Sequence, residues 1–276
     1  MIRNLLSNEL DFALKLTELE GWGTSREELE DLFLFSPEGF FISDSNGTLE
    51  GIISTANYGR FGFIGNLIVL EQFRNQGIGR KLIKHAMKYL LSLGVKSIML
   101  DAVPEICPLY EEFKFRPVCR SLRLEGKLHL KIVEYVQLMT KKDLMRVVKL
   151  DRKYFRGNRS FLLKRRFLLH PDLCYVLNQQ NKLKGFIMGI PKEDCIFIGP
   201  WIIDPKESKP HLLLQNLINK IEYKRIRIGM LEKNQLSLRL ASEFNLNEYF
   251  YSIRMIHGKG YNQTEGVIAI AGPDRG

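Results

Sequence analysis

The sequence predicts an α+β fold, a mixed sheet flanked by helices, built twice along the chain. Three observations carry this. The first half alternates short β-type runs with helical periods. The length, 276 residues, suits two domains of ordinary size. Finally, Leu49-Glu50-Gly51-Ile52-Ile53 recurs as Leu183-Lys184-Gly185-Phe186-Ile187, and Phe63-Ile64-Gly65-Asn66-Leu67-Ile68-Val69 recurs as Phe197-Ile198-Gly199-Pro200-Trp201-Ile202-Ile203, both at an offset of 134 residues. Glu112-Phe113-Lys114-Phe115 pairs with Glu243-Phe244-Asn245-Leu246 after a contraction of three residues. The expected division is 1–127 and 128–276, each with a mostly antiparallel sheet. The competing reading is that similar hairpins arose from common strand composition.

Each element of the first half has a local cause. Ile2 to Leu5 reads as a strand, and Ser7 to Leu19 as a helix. Ser25 with Glu28 three residues on is a capping box that opens a helix to Phe35. Phe40 to Asp44 and Leu49 to Asn57 alternate as strands joined by Ser45-Asn46-Gly47, a hairpin signal. A strand from Phe61 to Val69 leads into Arg74-Asn75-Gln76-Gly77-Ile78-Gly79. Ile78, Leu82, Ile83, Ala86, Met87, Leu90 and Leu91 then share one stripe of a helix that stops at Gly94. Val95 to Ala102, a short helix from Glu105 to Phe113 and a closing strand from Phe115 to Leu124 complete the unit.

Composition excludes several classes. Cys107, Cys119, Cys174 and Cys195 form no C-x-x-C pair, so neither a disulfide framework nor a zinc site is expected, and no metal is called for. No apolar run approaches the roughly 20 residues of a membrane span, and the N-terminus turns polar before a signal-peptide core forms. A soluble, cytoplasmic protein without membrane contact is expected. The charge of +10 is uneven: residues 1–127 hold 15 Lys and Arg against 17 Asp and Glu, so the remainder carries +12. Between Lys141 and Arg166 lie eleven basic residues against Asp143 and Asp151. That run steers an acidic acceptor or a nucleic acid, or is a solvated helix face.

Strand, glycine loop and helix together seat a pyrophosphate on backbone N–H groups at a helix N-terminus. Gly77 and Gly79 let the backbone come close, while Arg74, Arg80 and Lys81 add positive charge. The loop lacks G-K-[ST] and the third glycine of a dinucleotide fingerprint. Taken alone, these six residues also suit an ordinary strand-to-helix turn.

With its flanks, the segment resembles the GNAT superfamily of N-acetyltransferases, whose motif is [RQ]-x-x-G-x-[GA] after a strand; Arg74, Gly77 and Gly79 fill it. Leu109-Tyr110-Glu111-Glu112-Phe113-Lys114-Phe115 is similar to the family's L-Y-x-x-x-G-F segment, with Lys114 in place of the glycine, which implies a different cap geometry there. The resemblance implies acetyl-CoA as co-substrate, its pyrophosphate on the N–H groups of Asn75, Gln76, Gly77, Ile78, Gly79 and Arg80, and pantetheine along Leu67, Ile68 and Val69. It also implies a bulge near Ile68 that splays the strand and frees donors for the thioester carbonyl. Tyr110 matches the tyrosine that faces the CoA sulfur, although an arbitrary tyrosine is more often a core residue.

Amine attack needs a proton acceptor, and Glu20, Asp101 and Glu105 are candidates alongside a purely structural role for each. Trp22 either walls the acceptor side or anchors its loop. The second copy replaces Gly77, Gly79 and Tyr110 by His211, Leu213 and Ala241, so residues 128–276 read as a degenerate GNAT-like module that shapes the substrate pocket. The implied reaction is acetyl transfer to a primary amine, on a small molecule or a peptide. The alternative is a non-catalytic acetyl-CoA-binding regulatory or nucleic-acid-associated protein.

Overall fold

The computed structural model describes residues 1–127, 136–207, 209–219, 225–260 and 265–276. The chain forms two compact units: Met1–Pro117 with Met255–Tyr261 and Arg275, and Val118–Arg254 with Asn262–Asp274 and Gly276.

The first unit contains β1 (Ile2–Asn4), α1 (Leu10–Leu19), α2 (Arg26–Phe35), β2 (Phe40–Ser45), β3 (Thr48–Asn57), β4 (Gly62–Val69), α3 (Ile78–Ser92), β5 (Ser97–Ala102) and α4 (Cys107–Glu111). Its strands run antiparallel from β1 to β4, after which β5 joins β4 in parallel. Asn46 and Gly47 both take positive φ, 52° and 87°, the primed turn that matches strand twist. Ser25 caps α2 as expected, its backbone N–H donating to Glu28 Oε2 at 2.9 Å.

Alternation along β2 sorts its side chains between two layers. Phe40 and Ile42 join Leu10, Leu16 and Leu29 in the core beneath α1 and α2. Phe41 faces the other way and meets the rings of His85 and Tyr89 on α3 at 4.5 and 5.3 Å. The α3 stripe is buried from Ile78 to Leu90, whereas Leu91, expected to share it, is exposed because it falls beyond the stripe's edge.

The second unit continues from β6 (Arg116–Lys127), which starts in the first, through β7 (Val136–Leu138), α5 (Leu144–Phe155), α6 (Ser160–Leu169), β8 (Cys174–Gln179), β9 (Lys182–Pro191), β10 (Ile196–Ile203), α7 (His211–Asn219), β11 (Arg225–Leu231), α8 (Gln235–Glu243), β12 (Asn247–Gly258) and β13 (Val267–Ala269). β1, β2, β3, β4 and α2 recur as β7, β8, β9, β10 and α6 at the constant offset of 134 residues, and β6 recurs as β12 at 131. The repeat seen in the sequence is therefore a repeat of structure.

The closing strands differ from expectation. The strand after α4 does not complete the first unit: β6 pairs antiparallel with β11, from Ser121↔Leu231 to Lys127↔Arg225. The first unit is completed instead by the end of β12, beside β5. Homologous strands present the same alternating faces, so either suits either sheet, which is the logic of domain swapping. The contact units accordingly part after Pro117, whereas the expected boundary lay after Lys127.

The basic run of the second half is not one solvated face. Arg159 is buried and donates to Asp151, with Nη2 at 2.8 Å, and Arg166 is buried with Nη1 2.5 Å from the Gly199 carbonyl. Arg146 pairs with Asp143. Among the described residues, no helix is long and apolar enough to cross a membrane.

Gly258 marks how closely β12 approaches β5. Its φ is 88°, and a Cβ there would lie 2.4 Å from the Lys96 carbonyl oxygen. Gly258→Ala is expected to destabilise the protein by about 1–2 kcal/mol or more, read as a lower denaturant midpoint. An unchanged midpoint would mean that this strand end does not pack there in solution.

Candidate active site

The opening starts with a defect in a ladder. β4 and β5 pair only at Gly62↔Ile98 and Phe63↔Met99. On its other edge, β4 shifts register against β3 between Gly65↔Ser54 and Ile68↔Ile52, so Asn66 and Leu67 bulge opposite Ile53. Asn66 takes φ 50°, and its buried side chain donates to Ser54 Oγ at 3.0 Å. The bulge therefore sits at Asn66 and Leu67, just before the expected Ile68. Beyond it, the β5-facing edge of Leu67, Ile68 and Val69 carries no strand among the described residues.

β4 runs through a turn at Glu71–Phe73 into the glycine loop. Asn75 and Gly77 take φ 63° and 78°, and Gly77 is the N-cap of α3 with no side-chain cap bond. A helix leaves its first N–H groups without partners, so Ile78, Gly79 and Arg80 present donors at the positive end of the dipole. A Cβ on Gly77 would meet nothing within 4 Å, and one on Gly79 would meet only Val69 Cγ2 at 4.0 Å. The space above the loop is open to an anion, and these residues fit a pyrophosphate.

The loop's arginines are held by carboxylates. Arg74 donates from Nε to the Val69 carbonyl at 3.0 Å and forms an ion pair with Glu20, at the end of α1. Arg80 makes a bidentate pair with Glu112, 2.8 and 2.6 Å, joining the first turn of α3 to the end of α4. Arg80 holds the Glu112 carboxyl below its ordinary value. These pairs are exposed, so each contributes little to stability.

Tyr110 lies on α4 and is only 7% exposed, its ring 5.9 Å from Phe115 in an edge-to-face contact. Its phenol makes no hydrogen bond among the described residues, and burial, reinforced by Cys107, raises its pKa. Its carbonyl accepts from the N–H groups of Phe113 at 3.0 Å and Phe115 at 3.2 Å. Lys114 takes φ 61°, and its counterpart Asn245 takes 51°. The lysine thus adopts the left-handed conformation a glycine would supply, and the expected change of cap geometry does not occur.

Asp101 closes β5, half-buried and with interactions of its own, and Glu105 is exposed in the turn that leads to α4. Trp22 is 44% exposed between Gly21 and Gly23, whose φ values are 67° and 61°; it does not anchor its loop in the core. Sequence reasoning missed two features. Glu20 reaches Arg74 across 54 residues. His257 enters this unit on β12, with Nδ1 3.0 Å from the Phe113 carbonyl oxygen. No local pattern signals either. Among the described residues, no group of three His, Cys, Asp or Glu could hold a metal, and all four cysteines are free.

Residues 7–115 match the model of the acetyltransferase (GNAT) family, and residues 147–268 match that of an acetyltransferase (GNAT) domain. The chain is 25% identical over 204 residues to an uncharacterized N-acetyltransferase of Bacillus subtilis, YitH, covering 71% of this chain and 70% of that one. It is similar in structure to a candidate acetyltransferase from Pyrococcus horikoshii, with TM-score 0.83, 21% identity and coverage of 100% and 95% of the two chains. A tandem GNAT protein from the clavulanic acid biosynthesis pathway matches at TM-score 0.66 and 12% identity, over 95% of this chain and 99% of that one.

Burial makes the neutral phenol of Tyr110 the favoured form, so its ionisation lies above the ordinary value near 10.0. Difference titration of the phenolate ultraviolet band, wild type minus Tyr110→Phe, is expected to show a tyrosine still neutral at pH 10.0. A transition at or below that value would mean that the ring is open to solvent.

Proposed function

The chain belongs to the GNAT acetyltransferases and carries two of their domains, and we propose that its N-terminal domain transfers acetyl from acetyl-CoA to a primary amine on a small molecule or peptide. The observation that carries this reading is the uncapped, glycine-lined N-terminus of α3 beside an open edge of β4. Each feature supplies backbone donors, and together they suit the two polar parts of one extended ligand.

In this reading the N–H groups from Asn75 to Arg80 hold the pyrophosphate, and the backbone of Leu67, Ile68 and Val69 holds the pantetheine arm. When bound, acetyl-CoA supplies an activated acyl carbon; nitrogen bonds to that carbon as its bond to sulfur breaks. Tyr110 holds a proton within a buried site and delivers it to the departing sulfur. Burial keeps the phenol protonated until the sulfur departs, so that it donates its proton or a hydrogen bond there. Asp101 or Glu105, directly or through water, takes the proton the amine loses. Glu20 commits its carboxylate to Arg74 and is assigned to positioning the loop.

Acetyl-CoA is expected to raise the melting temperature, and free CoA should appear with at least one member of an amine panel. Gly79→Trp fills the space over the loop and is expected to weaken acetyl-CoA binding by at least about tenfold; undiminished binding would place the cofactor elsewhere. Tyr110→Phe is expected to lower kcat by about 100-fold with the acetyl-CoA KM little changed. Turnover unaffected across the pH range would remove Tyr110 from proton transfer.

A further inference from the structure

The second unit also has a β-bulge in this strand, at Gly199 and Pro200, one residue earlier in the repeat than that of the first. β10 shifts register against β9 between Ile198↔Gly189 and Trp201↔Ile187, and its parallel ladder with β11 stops after Ile198↔Ile228. At the repeat offset, Trp201, Ile202 and Ile203 stand where the first unit has Leu67, Ile68 and Val69. The first unit leaves that edge open; the second fills it with its own chain.

β13 pairs antiparallel with β10 at Trp201↔Ala269 and Ile202↔Val267. Ile203 donates its N–H to the Gly266 carbonyl at 2.9 Å, and on the opposite side Ile270 donates to the Gly229 carbonyl at 2.9 Å. The segment from 266 to 270 is thus bonded to both splayed strands. Side chains of the N-cap and first turn of α8 secure it further: Asn234 Nδ2 donates to the carbonyls of Glu265 at 3.0 Å and Val267 at 2.8 Å, and Ser237 Oγ to that of Ile268 at 2.8 Å. Val267, Ile268, Ala269 and Ile270 are all buried.

The glycines of this cleft fit the inserted chain. A Cβ on Gly199 would lie 2.0 Å from the Ile270 carbonyl oxygen, and one on Gly229 would lie 2.7 Å from Ile270 Cγ1. By the register of the two parallel ladders, Gly229 occupies the place of Asp101. The phosphate end is closed as well. Glu207 is buried in the loop before α7, accepting at Oε1 from Lys209 N–H at 3.2 Å and Gln179 Nε2 at 2.9 Å. A carboxylate there repels an anion. The N–H groups of Leu212 and Leu213, in the first turn of α7, donate to the carbonyls of Lys209 and Pro210, both at 3.3 Å.

We propose that residues 266–270 are a built-in occupant of the C-terminal domain's cofactor cleft. Their backbone takes the hydrogen bonds that β10 would otherwise offer to pantetheine, so this domain is a closed module that binds no CoA. The identification of that edge as a pantetheine edge rests on the function proposed above for the first domain. The loss of Gly77, Gly79 and Tyr110 equivalents then follows as relaxed constraint on a site already filled. Displacing the segment would expose Val267, Ile268 and Ile270 and leave the donors of Asn234 and Ser237 without acceptors, which is costly for buried polar groups.

Hydrogen exchange on the full chain tests this first without cofactor. Peptides spanning 199–203 and 266–271 should be protected, whereas those spanning 66–69 should exchange at least about tenfold faster at their β5-facing amides. Exchange of 266–271 at the rate of unstructured chain overturns the proposal. Saturating acetyl-CoA should leave 199–203 and 266–271 unchanged in the wild type and in Gly79→Trp. Cofactor-induced release of 266–271 with continued protection of 199–203 means that the segment yields to the cofactor, and also overturns it. Binding stoichiometry should be one acetyl-CoA per chain, and two sites would be fatal to the idea. Should the wild type bind no acetyl-CoA at all, the proposed activity fails, and the cofactor-free exchange still decides whether the cleft is filled.

Discussion

The structure depends on one constraint, that every buried backbone donor and acceptor finds a partner. A parallel ladder between β4 and β5 would consume these groups along the whole edge. The bulge at Asn66 and Leu67 ends that ladder after Phe63. The edge so released, at Leu67, Ile68 and Val69, carries no strand among the described residues of the N-terminal unit. The second copy breaks its ladder within one residue of the corresponding place, and residues 266–270 bond to the edge from within. A break in the ladder thus has two outcomes in one chain, an edge without a strand and an edge closed by the polypeptide.

The charges near the loop play a smaller part than their number suggests. Arg74 and Arg80 are each engaged by a carboxylate, Glu20 and Glu112. Exposed pairs of this kind are screened and weak. What they do is hold geometry: one ties the end of α1 to the loop, and the other ties α3 to the helix that bears Tyr110. In the function proposed above, the anion is held mainly by the N–H groups of a fixed backbone, which need no ordering when a ligand arrives.

Much was legible in the sequence because it is local. The Ser25 capping box, the Asn46-Gly47 hairpin and the Gly94 helix stop each depend on the conformational preference of one or two residues, and each formed where expected. The loop from Arg74 to Gly79 was legible for the same reason. Lys114 shows the limit of such reasoning, since a residue with poor left-handed preference takes φ 61° where the hydrogen bonds to Tyr110 and Glu111 carbonyls require it.

The sequence by itself determined the elements of the first half, the repeat at an offset of 134 residues and the glycine loop, because periodicity and turn chemistry act within a few residues. Only tertiary structure decided which sheet β6 and β12 complete, that β13 enters the second cleft, and that Glu20 meets Arg74. Alternation along a strand states which face is apolar and says nothing about which strand lies alongside. That choice is made by backbone groups identical in every residue, through the burial each pairing achieves, and it becomes visible only when the chain has folded.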